Sequence, residues 1–161
     1  MNRRQLLRGF AVGVTSSISG CLGVITNDQL SELPLTRIET TNVTGGETDI
    51  QVEITSLSGE LVSTHSETLA GRNSDGTVNF SCINKDDGLD IKNVFDYNYK
   101  FTVNNEREGK ITSKHLSDKY KRQGNPDDII QTNLILIIHE ERLVIAADLK
   151  REPEENPCGG N

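Results

Sequence analysis

The chain has 161 residues, a net charge of −7 and no Trp. That length suits one domain with a single core, and the acidic balance excludes the basic patch that nucleic-acid binding needs. Four Phe and three Tyr are too few for the aromatic platforms of sugar or single-strand binding, so the core must rest on Ile, Val and Leu.

The first element is a leader. Arg3 and Arg4 are followed by Leu6, Leu7 and Arg8, and no acidic residue precedes Asp28. A weakly apolar run, residues 9–18, is diluted by Gly, Ser and Thr. It is too short and too polar for a membrane-spanning helix, which needs about 20 mostly apolar residues. A positive start, a short apolar stretch and small residues before a cut make an export signal, and weak hydrophobicity behind an Arg pair favours the twin-arginine route. Ile18-Ser19-Gly20-Cys21 then reads as a lipobox, with Cys21 the residue that is cut and lipidated. Two acyl chains on that cysteine would hold the protein at a membrane stably, where one would not. The plainer alternative is a signal peptide with a chance cysteine near its cut. Arg3-Arg4-Gln5-Leu6-Leu7-Arg8 and Gly20-Cys21-Leu22-Gly23 resemble the amino terminus of haloarchaeal twin-arginine surface lipoproteins. The resemblance covers the leader alone. It implies export in a folded state and a lipid anchor on the outer face of the cell membrane, and it implies no activity.

Removing residues 1–20 leaves 141 residues, and the loss of three arginines takes the charge to −10. Such a surface is soluble and repels nucleic acid and anionic lipid. Residues 21–34 read as the lipidated Cys and a polar tether ending at Pro34. From Leu35 the pattern turns to period two. Leu35–Thr40 is a first strand, and Asp49–Thr55 alternates with Ile50, Val52 and Ile54 on one face. Glu60–Leu69 and Thr77–Ile83 follow, the latter with Val78, Phe80 and Cys82 expected to face inward. Tyr97–Val103 places Tyr97, Tyr99, Phe101 and Val103 inward, and Lys110–Ser113 continues the meander. Ser117–Asp128, with Gly124 and Pro126, reads as a long loop or a turn or two of helix, and its basic cluster Lys119–Arg122 as a solvated face. Leu134–Ile138 is apolar on both faces, as a central strand is, and Leu143–Ala147 returns from it. The domain spans residues 35–150, and the charged, Pro-containing segment 151–161 reads as a disordered tail. Seven or eight short strands with turns between them and no helical crossovers predict an all-β, antiparallel sandwich, immunoglobulin-like in preference to a small barrel.

Cys82 and Cys158 remain once Cys21 is assigned to lipid. Outside the cell a disulfide between them is permitted; otherwise Cys82 is a small buried residue and Cys158 a free thiol. Two isolated cysteines lack the paired spacing of a zinc site. No Gly-x-Ser-x-Gly elbow, H-E-x-x-H helix or phosphate-cradling glycine loop occurs. Asn84, Asp86 and Asp90 alternate around Gly88 in an acidic loop, the kind of oxygen-rich turn that takes calcium, here without the terminal Glu of an EF-hand. Calcium is the one cofactor left open, against a solvated turn. Asn42-Val43-Thr44 and Asn79-Phe80-Ser81 fit the glycosylation acceptor pattern. The sequence points to a non-catalytic binding or interaction module at the outer membrane face, engaging a protein or envelope partner. The alternative is a small enzyme in which His65, His115 or His139 meets a carboxylate only in the fold.

Overall fold

The computed structural model describes residues 32–153 and Cys158. Eight strands and one α-helix follow in order: β1 (Leu35–Asn42), β2 (Thr48–Ser56), β3 (Leu61–Leu69), β4 (Asn79–Asn84), β5 (Tyr97–Val103), β6 (Arg107–Ile111), α1 (Ser113–Lys121), β7 (Gln131–Ile138) and β8 (Leu143–Lys150). Sheet A has the order β4-β1-β7-β8 and sheet B the order β3-β2-β5-β6. The two sheets pack face to face as an all-β sandwich. Within that class the order is not that of an immunoglobulin domain, whose first strand lies at the edge of its ABED sheet; β1 here is an interior strand.

Period-two patterning explains the core. Ile50, Val52 and Ile54 of β2 and Tyr99, Phe101 and Val103 of β5 are buried on the inner face of sheet B. They meet Ile38 of β1 and Leu134, Leu136 and Ile138 of β7, each wholly buried. Each such side chain contributes roughly 1.5–3 kcal/mol through the apolar surface it removes from water. β7 holds the centre of sheet A, so Ile135 and Ile137 are half-buried even on its outer face.

Three features depart from the sequence reading. First, β1 and β7 run parallel, with Ile38 opposite Leu134 and Thr40 opposite Leu136. A parallel pair needs a long connection, and the strands of sheet B supply it in place of a helix. Second, β4 has the opposite parity to that expected. Ile38 pairs with Ile83, Thr40 with Ser81 and Asn42 with Asn79, and directly opposed residues share a face. The inward parity of β1 therefore turns Ile83 inward and Phe80 outward, where Phe80 is 58% exposed and Val78 is 38% exposed. Third, the segment after β6 is a helix from Ser113. The Thr112 hydroxyl accepts from the His115 backbone N–H, and the His115 ring accepts from the Thr112 N–H, a capping box with His where Glu or Gln is usual. Leu116 and Tyr120 are the apolar face of α1, and Tyr120 meets Phe95 edge-on with ring centroids 5.5 Å apart.

The sandwich closes differently on its two sides. Gly109 of β6 lies against Ile145 of β8 on one. On the other, β3 and β4 form a seam bridged by polar side chains. The Glu67 carboxylate of β3 accepts from Thr40 Oγ1 at 2.7 Å and from Ser81 Oγ. Above it, Gly71 brings the β3–β4 connection against the turn after β1. A Cβ on Gly71 would sit 2.6–2.7 Å from backbone atoms of Gly45 and Gly46. Gly71→Ala is therefore expected to destabilise the fold by about 2 kcal/mol, the usual scale of overpacking; an unchanged urea midpoint would show that the two turns separate freely.

Candidate functional site: a polar groove on sheet B

Register assembles an open polar groove on sheet B. On the outer face of sheet B, Asp49 lies opposite Thr68, and Gln51 lies between Ser66 and Thr102. These residues, with Asn105, line a groove of about 420 Å³. Its end is set by the β5–β6 hairpin, whose two turn residues Asn104 and Asn105 have φ of 53° and 55°. Positive φ at both central residues marks the turn that matches strand twist, and Asn tolerates it better than most residues. Asn104 Oδ1 accepts the Asp49 N–H at 2.8 Å, and the Asn104 N–H donates to the Asp49 carbonyl at 2.9 Å, locking the hairpin to β2. Thr68 Oγ1 donates to Asp49 Oδ1 at 2.7 Å, fixing the carboxylate at the groove wall. Further along the same face, Lys100 sits 2.6 Å from Glu108 and 3.7 Å from Glu53. The hydrogen bond to Glu108 is the main reason its ammonium is held above its ordinary pKa.

On its outer face the groove presents the Asp49 carboxylate, two amides and three hydroxyls; Ile50 and Glu67, whose side chains turn inward, complete a lining without histidine or thiol. That set can donate to and accept from a polar ligand.

The histidines lie elsewhere. His65 Nε2 is 3.0 Å from Ser63 Oγ on the inner face of β3, yet neither residue lines the groove. The Glu67 carboxylate two residues on is engaged by Thr40 and Ser81. His115 belongs to the helix cap, and His139 to a turn in which its N–H donates to the Arg142 carbonyl. Burial pushes the Tyr99 phenol far up, and its O–H donates to the Val94 carbonyl at 3.4 Å, a core contact rather than a proton-transfer site.

The acidic loop folds as a single 3₁₀ turn, residues 85–87. Asn84 Oδ1 accepts the Asp86 N–H at 2.7 Å and the Asp87 carboxylate accepts the Asn84 N–H at 3.0 Å. The oxygens read as calcium ligands thus include a cap atom, while Asp86 and Asp90 are exposed at the rim of a shallow hollow with Pro34 and Leu89. Among the described residues no three His, Cys, Asp or Glu side chains converge as a metal site would require.

Asn42 is corrected outright as a glycosylation acceptor. It is wholly buried, its Nδ2 lies within hydrogen-bond distance of Gly46 O, Thr48 Oγ1, Leu69 O and Ala70 O, and its Oδ1 accepts from Thr44 N and Oγ1. No glycan can join a nitrogen so enclosed. Asn79 is half-buried and its Nδ2 donates to the Gly71 carbonyl at 2.6 Å. Cys82 and Cys158 are disulfide-bonded, with Cα atoms 5.6 Å apart, so the segment read as a disordered tail is tied at Cys158 to the outer face of β4. Arg3, Arg4 and Cys21 lie outside the described residues. No helix among the described residues is long and apolar enough to cross a membrane.

The groove itself escaped sequence reading because it depends on which strands neighbour which. Alternation marks Asp49, Gln51, Ser66 and Thr68 as outward, but only the pairing of β3 with β2 and β2 with β5 brings them together. A comparison with protein-family models finds no match for this chain, and a comparison with curated proteins finds none either.

Proposed function

We propose that this protein is a lipid-anchored binding module on the extracytoplasmic face of the cell membrane, without catalytic activity of its own. The observation that carries the binding reading is the groove on sheet B: a three-stranded floor closed by the β5–β6 hairpin and bearing the polar side chains of Asp49, Gln51, Ser66, Thr68, Thr102 and Asn105. Such a surface suits a neutral, hydroxyl-rich ligand such as an envelope saccharide, recognised by hydrogen bonds rather than by stacking. The anchor reading rests on Arg3, Arg4 and the lipobox ending at Cys21.

Each half has its test. Calorimetric titration of the protein with envelope saccharide fragments is expected to give saturable binding that Gln51→Ala weakens at least tenfold, about 1.4 kcal/mol; absence of heat with every fragment would remove the groove reading. Mass spectrometry of native membranes is expected to find a chain starting at a lipid-modified Cys21, and Cys21→Ser is expected to release the protein. A native chain retaining Met1 in the cytosol would overturn the anchor.

A further inference from the structure

Helix α1 has a polar side that its core packing does not use. Leu116 and Tyr120 face the core. Ser113, Ser117 and Lys121 follow one another at intervals of four and so share another side, with Lys114 beside them. Together with Asn98 of β5 and Leu57 of the β2–β3 turn, these residues line a hollow of about 450 Å³ that has no lining residue in common with the groove. The basic run Lys119–Arg122, expected as a solvated face, thus contributes Lys121 to a concave surface.

Two observations point to a ligand there. The first is an open donor at the start of the helix. The Ser113 N–H donates to Asn98 Oδ1 at 3.2 Å, the His115 N–H to Thr112 Oγ1 at 3.3 Å and the Leu116 N–H to the Thr112 carbonyl at 3.1 Å. The Lys114 N–H between them has no acceptor among the described residues. A free N–H in the first turn, backed by the helix dipole, attracts an anion. The second observation lies one turn further on. Ser117 is only 9% exposed and lines the hollow, yet its hydroxyl has no hydrogen-bond partner among the described residues. A hydroxyl so enclosed is costly to leave without one.

We propose that this hollow binds a phosphate group, free or carried by a small ester. Its donors are the Lys114 N–H, the Ser117 hydroxyl and the ammonium groups of Lys114 and Lys121. An anion with several oxygens is the ligand that uses them together. The two lysines stand roughly 10 Å apart along the helix axis, so they flank the phosphate from either end of the hollow. Asp118 is the one carboxylate in the lining, and it lies 3.9 Å from Lys114 in an exposed pair. Such a pair is weak enough for an incoming anion to replace. Exposed Leu57 offers apolar surface to the organic part of an ester. The site stands independently of what the groove binds and of the lipid anchor.

Titration of the full chain with inorganic phosphate, glucose 1-phosphate and glycerol 3-phosphate at fixed ionic strength, followed by amide NMR, tests it. Saturable shifts are expected, the largest at the Lys114 N–H. The tightest of the three probes identifies the form of phosphate the hollow carries. Ser117→Ala is expected to weaken binding roughly tenfold, the scale of one hydrogen bond to a charged group. Lys121→Gln is expected to weaken it too, and Asp118→Asn, which removes the competing carboxylate, to strengthen it about threefold. Unchanged melting temperatures will show that each variant folds. Absence of saturable shifts with all three probes, or equal affinity of Ser117→Ala and the unsubstituted chain, overturns the proposal.

Discussion

Cys82→Ser combined with Cys158→Ser is expected to lower the free energy of unfolding by roughly 4.5 kcal/mol, the chain-entropy value for a loop of this size. The cysteines are 76 residues apart, so the bridge restrains everything from β4 to the end of β8 in the unfolded chain. Within its sheet β4 pairs only with β1, and toward β3 it is held by two side-chain hydrogen bonds, Ser81 on Glu67 and Asn79 on the Gly71 carbonyl. The loss corresponds to a fall in melting temperature of about 15 °C for a domain of this length. Urea denaturation with and without a dithiol reductant measures it directly. A shift below about 1 kcal/mol would mean that the unfolded chain is already compact enough to hold the two segments together.

Asn42→Ala is expected to cost a further large fraction of the stability, about 4 kcal/mol. The amide nitrogen serves carbonyls of three residues and the Thr48 hydroxyl, and the amide oxygen serves Thr44 twice. Removing it leaves several of these groups buried without a partner, each at about 1–3 kcal/mol. The damage reaches two connections at once, because Gly46 belongs to the turn after β1, Leu69 ends β3 and Ala70 opens the connection to β4. Asn42→Asp keeps the acceptor while losing the donors, and it is expected to recover only the contacts to Thr44. Chemical denaturation of the two variants decides this; a loss under about 1 kcal/mol for Asn42→Ala would show that water replaces the amide.

The same residue shows where sequence reading succeeds and where it stops. Alternation at Ile50, Val52 and Ile54, and at Tyr99, Phe101 and Val103, is a local property and identifies the inner face of sheet B correctly. The doubly apolar run Leu134–Ile138 likewise marks an interior strand. Asn42-Val43-Thr44 matches an acceptor motif equally locally, but its burial is decided by Leu69 and Ala70, far along the chain. The parity of β4 depends on pairing with β1, and pairing is not written in the residues of β4. A turn or two of helix is legible after Ser117, but the start of α1 at Ser113 is not, because His115 occupies the capping position where a Glu would announce it. The groove, the seam and the hub at Asn42 all belong to this second kind, arising from register rather than composition.

The parallel pairing of β1 with β7 has a temporal consequence. Strand β1 finds its central neighbour β7 only after more than ninety further residues have been made. Until then Ile38 and Thr40 have no sheet to complete on that side. Distant pairings of this sort slow the search for the native arrangement, so closing β1 on β7 is expected to be the slow step in forming sheet A.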